Sequence, residues 1–254
     1  SPNKRYTLVF NGEIYNYKSL KKVLENRGYS FKTSSDTEVL LYHLIEFGEA
    51  GINDLNGFFG FAFYDKETQE TIVARDRFGI KPLHLYEDEH QLIFASEMKA
   101  IFEFNITKKI NLSSLQLYFK FNYIPQPLSI LENCKKLQPG EILKWKDGKS
   151  KTKKYYTLAY TPGRYLFTDY NKAQRKLREL LEESVSNRLV SDVPIGAFLS
   201  GGIDSSVITA LASKHTQNLN TFSIGYKDEP LFDETKYARL VAEKYKTNHT
   251  VFEL

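Results

Sequence analysis

The chain has 254 residues, 41% of them hydrophobic and 26% charged, the balance of a globular protein with room for one large domain or two ordinary ones. Its net charge of +4 is small and spread out, a weak argument for nucleic-acid binding, and no apolar run approaches the ~18 residues of a membrane helix. The single cysteine, Cys134, excludes a disulfide scaffold and most all-cysteine metal sites, and nothing at the start reads as a signal peptide, so the cytoplasm is the expected compartment.

The first half reads as short strands with two helices. Thr7–Phe10 is an expected strand that ends at the turn dipeptide Asn11-Gly12. Residues 17–26 carry Leu20, Val23 and Leu24 at helical spacing before Gly28, a helix stop. Asp36 is placed to cap a second helix whose apolar side holds Val39, Leu40, Leu41, Leu44 and Ile45. Gly57 to Phe63 is almost wholly apolar and aromatic, which favours a strand buried on both faces over a base-stacking surface. Further strands are expected at Thr71–Arg75, Leu83–Tyr86 and Gln91–Ala95, with a hairpin of Glu141–Trp145 and Lys151–Tyr156 about Asp147-Gly148.

The character changes between Tyr156 and Asp169, where the domain boundary is expected, giving units 1–160 and 161–254. An amphipathic helix is expected at Asn171–Leu189, with Leu177, Leu180, Leu181 and Val185 in one stripe. Strands at Ile195–Leu199, Thr221–Gly225 and Thr250–Leu254 alternate with helices at Ser205–Lys214 and Asp233–Tyr245, a pattern that predicts an α/β parallel sheet. Both ends read as cut within a longer chain: no lead-in element precedes Ser1, and the final strand stops at Leu254.

Ser200-Gly201-Gly202-Ile203-Asp204-Ser205-Ser206 lies between a strand and a helix, where an open parallel sheet binds its ligand. Two glycines bring backbone N–H groups close to an anion, and the helix that follows adds unpaired N–H groups and its positive dipole end. The serines add hydroxyls, and Asp204 can hold a divalent cation against phosphate oxygens. With no lysine in it, the loop suits a pyrophosphate accompanied by metal better than a Walker-type phosphate site. A serine-rich helix cap is the plainer reading.

The heptad resembles the pyrophosphate loop of the N-type ATP pyrophosphatases. Ser191–Leu199 before it, Thr221–Tyr226 and Phe232-Asp233-Glu234 narrow the resemblance to asparagine synthetases. It implies ATP bound with Mg²⁺ at Ser200, Gly201, Gly202, Asp204, Ser205 and Ser206, Asp204 holding the metal, with Leu199 and Ile224 lining the nucleotide pocket.

Asn11-Gly12-Glu13-Ile14-Tyr15-Asn16-Tyr17 follows a strand and leads into a helix. An Asn amide beside a Gly N–H can form an oxyanion hole, and a nearby carboxylate can take an ammonium group. Spacing alone favours the plainer reading, a turn at Asn11-Gly12 and an N-cap at Asp36. The segments Asn11–Tyr17, Ser35–Val39, Leu55–Asp65, Ala74–Leu83 and Phe94–Ile101, in that order, resemble the glutaminase domain of class II amidotransferases in the asparagine synthetase branch. The resemblance implies an α+β N-terminal-nucleophile (αββα) domain of two sheets between helical layers, followed by part of an α/β ATP-pyrophosphatase domain. It makes Asn11 and Gly12 the oxyanion hole and gives Glu13 and Asp36 the α-amino group of glutamine.

The implied activity is asparagine synthesis from aspartate with ammonia from glutamine, through a β-aspartyl-adenylate, releasing AMP and pyrophosphate. Glutamine, aspartate and ATP are then the partners, with no nucleic acid and no membrane, and a homodimer is compatible with them. A relative that amidates another carboxylate, and a non-catalytic glutaminase-fold scaffold, are the alternatives. The family's nucleophile is an N-terminal cysteine where this chain has Ser1, and its carboxylate-binding arginine segment would precede Ser1. As written, the chain is expected to hydrolyse no glutamine, because a hydroxyl is far less acidic than a thiol. Cys134 reads as a structural thiol in a loop, and Gly60 and His84, which depart from the family pattern, as packing variation. None of His43, His84, His90, His215 and His249 pairs convincingly as a zinc ligand.

Overall fold

A computed structural model describes residues 1–254 other than Arg164, Tyr165, Asp192, Lys227 and Pro230. Asp192 falls in the Ser191–Leu199 approach, and Arg164 and Tyr165 fall in the expected boundary window; all three lie outside the described residues. The chain divides into two compact units, Ser1–Tyr160 and Thr161–Leu254.

The first unit begins with β1 (Tyr6–Ile14), α1 (Tyr17–Glu25), α2 (Asp36–Phe47) and a 3₁₀ turn at Gly48–Asp54. It continues through β2 (Gly57–Asp65), β3 (Glu70–Arg75), β4 (His84–Glu87), β5 (Leu92–Ala95), α3 (Met98–Ile101) and α4 (Leu112–Phe121). β6 (Cys134–Lys136), β7 (Glu141–Lys146) and β8 (Lys149–Lys154) complete it. One sheet has the order β1-β2-β3-β7-β8 and the other β5-β4-β6, and every pairing in both is antiparallel.

Side-chain alternation along the strands sets the layers. Phe59, Phe61 and Phe63 of β2, with Ile72, Ala74 and Ile142, pack against Leu20 and Leu24 of α1 and Val39, Leu40 and Leu44 of α2. The intervening residues Ala62, Val73 and Leu143 face the other way, onto Leu85 of the second sheet, with Leu83 and Leu137 beside it. Beyond that sheet, Tyr86, Ile93 and Cys134 pack with Ile101 of α3. The order is helices, sheet, sheet, helix, the expected two sheets between helical layers. β2 lies buried from Phe59 to Phe63, as its apolar run predicts. At the hairpin, Asp147 (φ 50) and Gly148 (φ 71) both take the left-handed region, the conformation of a two-residue I′ turn.

Four expectations about this unit need correction. β1 does not end at Asn11-Gly12: it runs to Ile14, pairing Asn11 with Gly60, Gly12 with Phe59 and Glu13 with Phe58. Local turn chemistry yields there to strand pairing, because β2 supplies partners for the whole segment. The cap of α2 is Ser35, whose Oγ accepts the N–H of Thr37 at 3.1 Å, so Asp36 is the first helical residue instead of the cap. Val23 is exposed, because Leu20 and Leu24 are the residues that α1 turns into the core. Cys134 sits in β6, not a loop, and burial pushes its thiol pKa up, which keeps it the inert thiol expected.

The second unit holds α5 (Tyr170–Arg188), β9 (Gly196–Phe198), α6 (Ile203–Ala212), β10 (Asn220–Gly225), α7 (Thr235–Tyr245) and β11 (Asn248–Glu253). The sheet order is β11-β10-β9 and both pairings are parallel, in agreement with the alternating pattern. Leu199, Ala238 and Ala242 form one core cluster, and Val185, Leu211, Ala212 and Leu219 another. Of the expected α5 stripe, Val185 is buried and Leu181 partly so, while Leu177 and Leu180 are exposed because α6 covers only the carboxyl half of that helix.

Candidate functional site

The first cluster forms where β1 ends. Tyr6, Leu8 and Phe10 pack toward the helices, so period-two alternation turns Asn11 and Glu13 to the opposite face, about 7 Å apart along the strand. Gly12 between them is required by a close approach: a Cβ there would stand 2.1 Å from the Phe58 carbonyl oxygen and 2.8 Å from Phe59 Cα. Gly57 serves the same closure, since its Cβ would meet the Glu13 carbonyl oxygen at 2.0 Å. Asp36 reaches this strand end from the start of α2, where its Oδ2 accepts the Ile14 N–H at 3.0 Å. Glu13 and Asp36 therefore meet the same strand end at adjacent residues, although 22 positions separate Asp36 from Ile14. Asn11 donates from Nδ2 to Ser96 Oγ at 2.9 Å.

Behind the cluster stands a buried carboxylate that sequence reasoning overlooked. Asp76, 1% exposed, accepts the N–H of Phe59 at 3.3 Å, of Phe78 at 3.1 Å, and of Ile80 and Lys81 at 3.0 Å. It closes the loop 76–81 and ties it to the strand residue that faces Gly12. The signal was in the sequence, as Asp-Arg-Phe-Gly after a strand is Asx-turn chemistry. Arg75 beside it spends its guanidinium on the carbonyls of Lys81, Leu137 and Gly79 and on Gln126 Oε1.

Ser1 stands at the far end of β1. Its ammonium donates to the Tyr6 carbonyl at 2.8 Å and its Oγ accepts the Tyr6 N–H at 2.9 Å, five residues, or roughly 17 Å of strand, from Asn11. A cavity of about 650 Å³ lined by Ser1, Tyr6, Leu8, Thr33, Glu38 and Tyr42 opens on the same end and takes in none of Asn11, Gly12, Glu13 and Asp36.

The second cluster follows β9. Ser200 N–H donates to Ser205 Oγ at 3.3 Å, Gly202 N–H to Ser200 Oγ at 3.3 Å, and Ser206 Oγ to the Gly202 carbonyl at 2.7 Å. Gly201 adopts φ +82, and a Cβ there would lie 2.5 Å from Tyr237 Cβ and 2.6 Å from the Ala238 nitrogen. The loop is thus pressed onto α7 at a position only glycine fits. Gly202 is the N-cap of α6, and Asp204 is exposed in its first turn. Ile224 is half-exposed on β10, whereas Leu199 is 1% exposed among Ala238 and Ala242. The Leu199 main chain joins the loop, its N–H donating to Phe222 O at 2.8 Å and its carbonyl accepting from Ser223 Oγ.

Among the described residues no group of three or more His, Cys, Asp or Glu could enclose a metal, and no helix is long and apolar enough to cross a membrane. Asp204 alone could supply one carboxylate oxygen to a Mg²⁺ whose other ligands are phosphate oxygens and water, which suits that ion's habit of keeping several waters. The serine hydroxyls and amides beside it fit a polyphosphate.

Residues 1–156 match the glutamine amidotransferase domain model and residues 176–254 the asparagine synthase model. Asparagine synthetase [glutamine-hydrolyzing] 1 of Bacillus subtilis (strain 168) is 37% identical over 241 residues, covering 94% of this chain and 38% of that protein. Putative asparagine synthetase [glutamine-hydrolyzing] 2 of Methanocaldococcus jannaschii is 37% identical over 247 residues, covering 95% and 47%. The chain spans less than half the length of these relatives. The solved glutamine phosphoribosylpyrophosphate amidotransferase of B. subtilis is 20% identical at a TM-score of 0.42, with 99% of this chain and 46% of that one covered. On the match over residues 1–156, the chain belongs to the glutamine amidotransferase domain family, followed from residue 176 by a segment similar to asparagine synthase.

Proposed function

We propose that the chain is the ammonia-releasing and nucleotide-binding part of an enzyme that makes asparagine from aspartate, glutamine and ATP. The observation that supports this most is the end of β1, where Asn11, Gly12 and Glu13 lead to Ile14, whose N–H donates to Asp36 Oδ2 at 3.0 Å. In this reading the Asn11 amide and the Gly12 N–H receive the oxyanion formed when a cysteine thiolate attacks the side-chain amide of glutamine. Glu13 and Asp36 hold the α-amino group by charge, which orients the substrate. Ammonia leaves and an acyl-enzyme remains for water to cleave.

The second unit takes ATP at Ser200–Ser206, with the loop amides and hydroxyls on the phosphates and Ile224 against the nucleoside. Mg²⁺ held by Asp204 would supply neutralisation of the pyrophosphate charge. Aspartate's side-chain carboxylate is activated as a β-aspartyl-adenylate with loss of pyrophosphate, and ammonia displaces AMP. Exclusion of water protects the adenylate and retains the ammonia.

The test is made in the full-length protein, cytoplasmic in this reading. Asp204→Ala is expected to abolish aspartate-dependent pyrophosphate release and to leave glutamine hydrolysis running. Unchanged pyrophosphate release would overturn the nucleotide assignment. Asn11→Ala is expected to slow glutamine hydrolysis by roughly 10²-fold or more, because the oxyanion exists only in the transition state.

A further inference from the structure

Asn11 stands on an edge strand, exposed, with little around it to fix its amide. Its cross-strand partner is Gly60, which contributes no side chain, so the usual neighbour on a sheet face is missing. The Cβ direction of Gly60 points at Pro82 O and Leu83 Cβ, 3.6 and 3.7 Å away, so Gly60 and its partner Asn11 face the second sheet. The contact that does hold Asn11 comes from that side. Ser96, the residue after β5, places Oγ 2.9 Å from Asn11 Nδ2 and joins positions 85 residues apart.

The two ends of an Asn amide are nearly identical in shape and opposite in function. Turned one way it offers two N–H donors, turned the other a carbonyl oxygen that would repel an oxyanion. A hydroxyl that accepts one N–H anchors the amide from one side and leaves the second N–H for another acceptor. Resting on the oxyanion role of Asn11, we propose that Ser96 is the positioning residue for glutamine hydrolysis, holding the Asn11 amide so that its second N–H stays available to the substrate oxygen. Ser96 itself touches no substrate in this assignment. It acts in the transition state through Asn11, so it governs kcat more than KM.

The experiment is steady-state glutamine hydrolysis by the full-length protein, on Ser96→Ala, Ser96→Thr, Asn11→Ala and the Ser96→Ala/Asn11→Ala pair. Ser96→Ala is expected to lower kcat roughly tenfold, the scale of one lost hydrogen bond, with KM within about twofold. Ser96→Thr, which keeps the hydroxyl, is expected to recover most of the rate. In the Asn11→Ala background the Ser96 substitution is expected to cost nothing further, which a merely structural role would not reproduce. If Ser96→Ala melts early, Ser96→Cys, similar in size and a weak acceptor, gives the same comparison. A normal kcat in Ser96→Ala beside a slow Asn11→Ala enzyme overturns this inference alone, as does a loss that persists undiminished in the double variant. A normal Asn11→Ala enzyme overturns the oxyanion reading and the inference with it.

Discussion

Asp36 Oδ2 accepts the main-chain N–H of Ile14 at 3.0 Å, so the first residue of α2 is fastened to the last residue of β1. Because Ser35 caps the helix, the Asp36 carboxylate is released from capping and can serve the strand end. Asp36→Ala removes the acceptor and should cost about 1 kcal/mol of stability and raise the KM for glutamine. Asp36→Asn keeps an acceptor oxygen without the charge, so it should melt near the parent temperature yet show the same rise in KM. Thermal melts paired with glutamine kinetics separate the two effects.

Gly12 and Gly60 both lie on the β1–β2 pair, yet a methyl group should be costly at the first and nearly neutral at the second. At Gly12 the new Cβ would stand 2.1 Å from a backbone oxygen, so Gly12→Ala should cost at least ~1–3 kcal/mol and pry the strands apart. At Gly60 the nearest atoms, 3.6 Å away, are at ordinary contact distance, and Gly60→Ala should change stability by less than about 1 kcal/mol. Urea unfolding of the two variants provides the comparison. Equal destabilisation would contradict it.

His43 is buried at 2%, with Nε2 3.0 Å from the Gly51 carbonyl and Nδ1 without a partner. Burial holds its pKa below the ordinary value, outweighing the opposing pull of Asp54, 3.4 Å away. The unfolded chain therefore binds this proton more readily than the folded one. The stabilising effect is complete above the unfolded pKa of about 6.5 and is lost as pH falls through the folded value. His43→Gln should flatten the fall in melting temperature below about pH 6.5. A slope unchanged from the parent would refute the assignment to His43.

Gly201 tests the proposed nucleotide role of the Ser200–Ser206 loop without touching its charged residue. Its φ of +82 and the Cβ position 2.5 Å from Tyr237 leave a side chain no room. Gly201→Ala should displace the loop from α7, weaken ATP binding at least tenfold by calorimetry, and lower the melting temperature. Glutamine hydrolysis should be spared. Unaltered ATP binding would mean that the loop's seating on α7 is irrelevant to the nucleotide.

The local code was sufficient wherever one element decides its own form. The apolar run of β2, the Asp147-Gly148 turn and the strand–helix alternation of the second unit were legible because periodicity and turn chemistry act over a few residues. The order of motifs carried the resemblance to glutaminase and synthetase domains, and with it the expectation of two sheets between helical layers. Other features depended on partners distant in sequence. Asn11-Gly12 reads as a turn until β2 lies beside it, and glycines at 12 and 57 let the two backbones close. α4 and β6 escaped notice because a ten-residue helix with one buried residue and a three-residue strand carry little periodic signal. Ser96 and Asp76 acquire meaning only beside Asn11 and Phe59, and Leu199 is buried only once α7 covers it. A hydrogen bond across 85 residues leaves no trace in local spacing, since its geometry exists only after both sheets have packed.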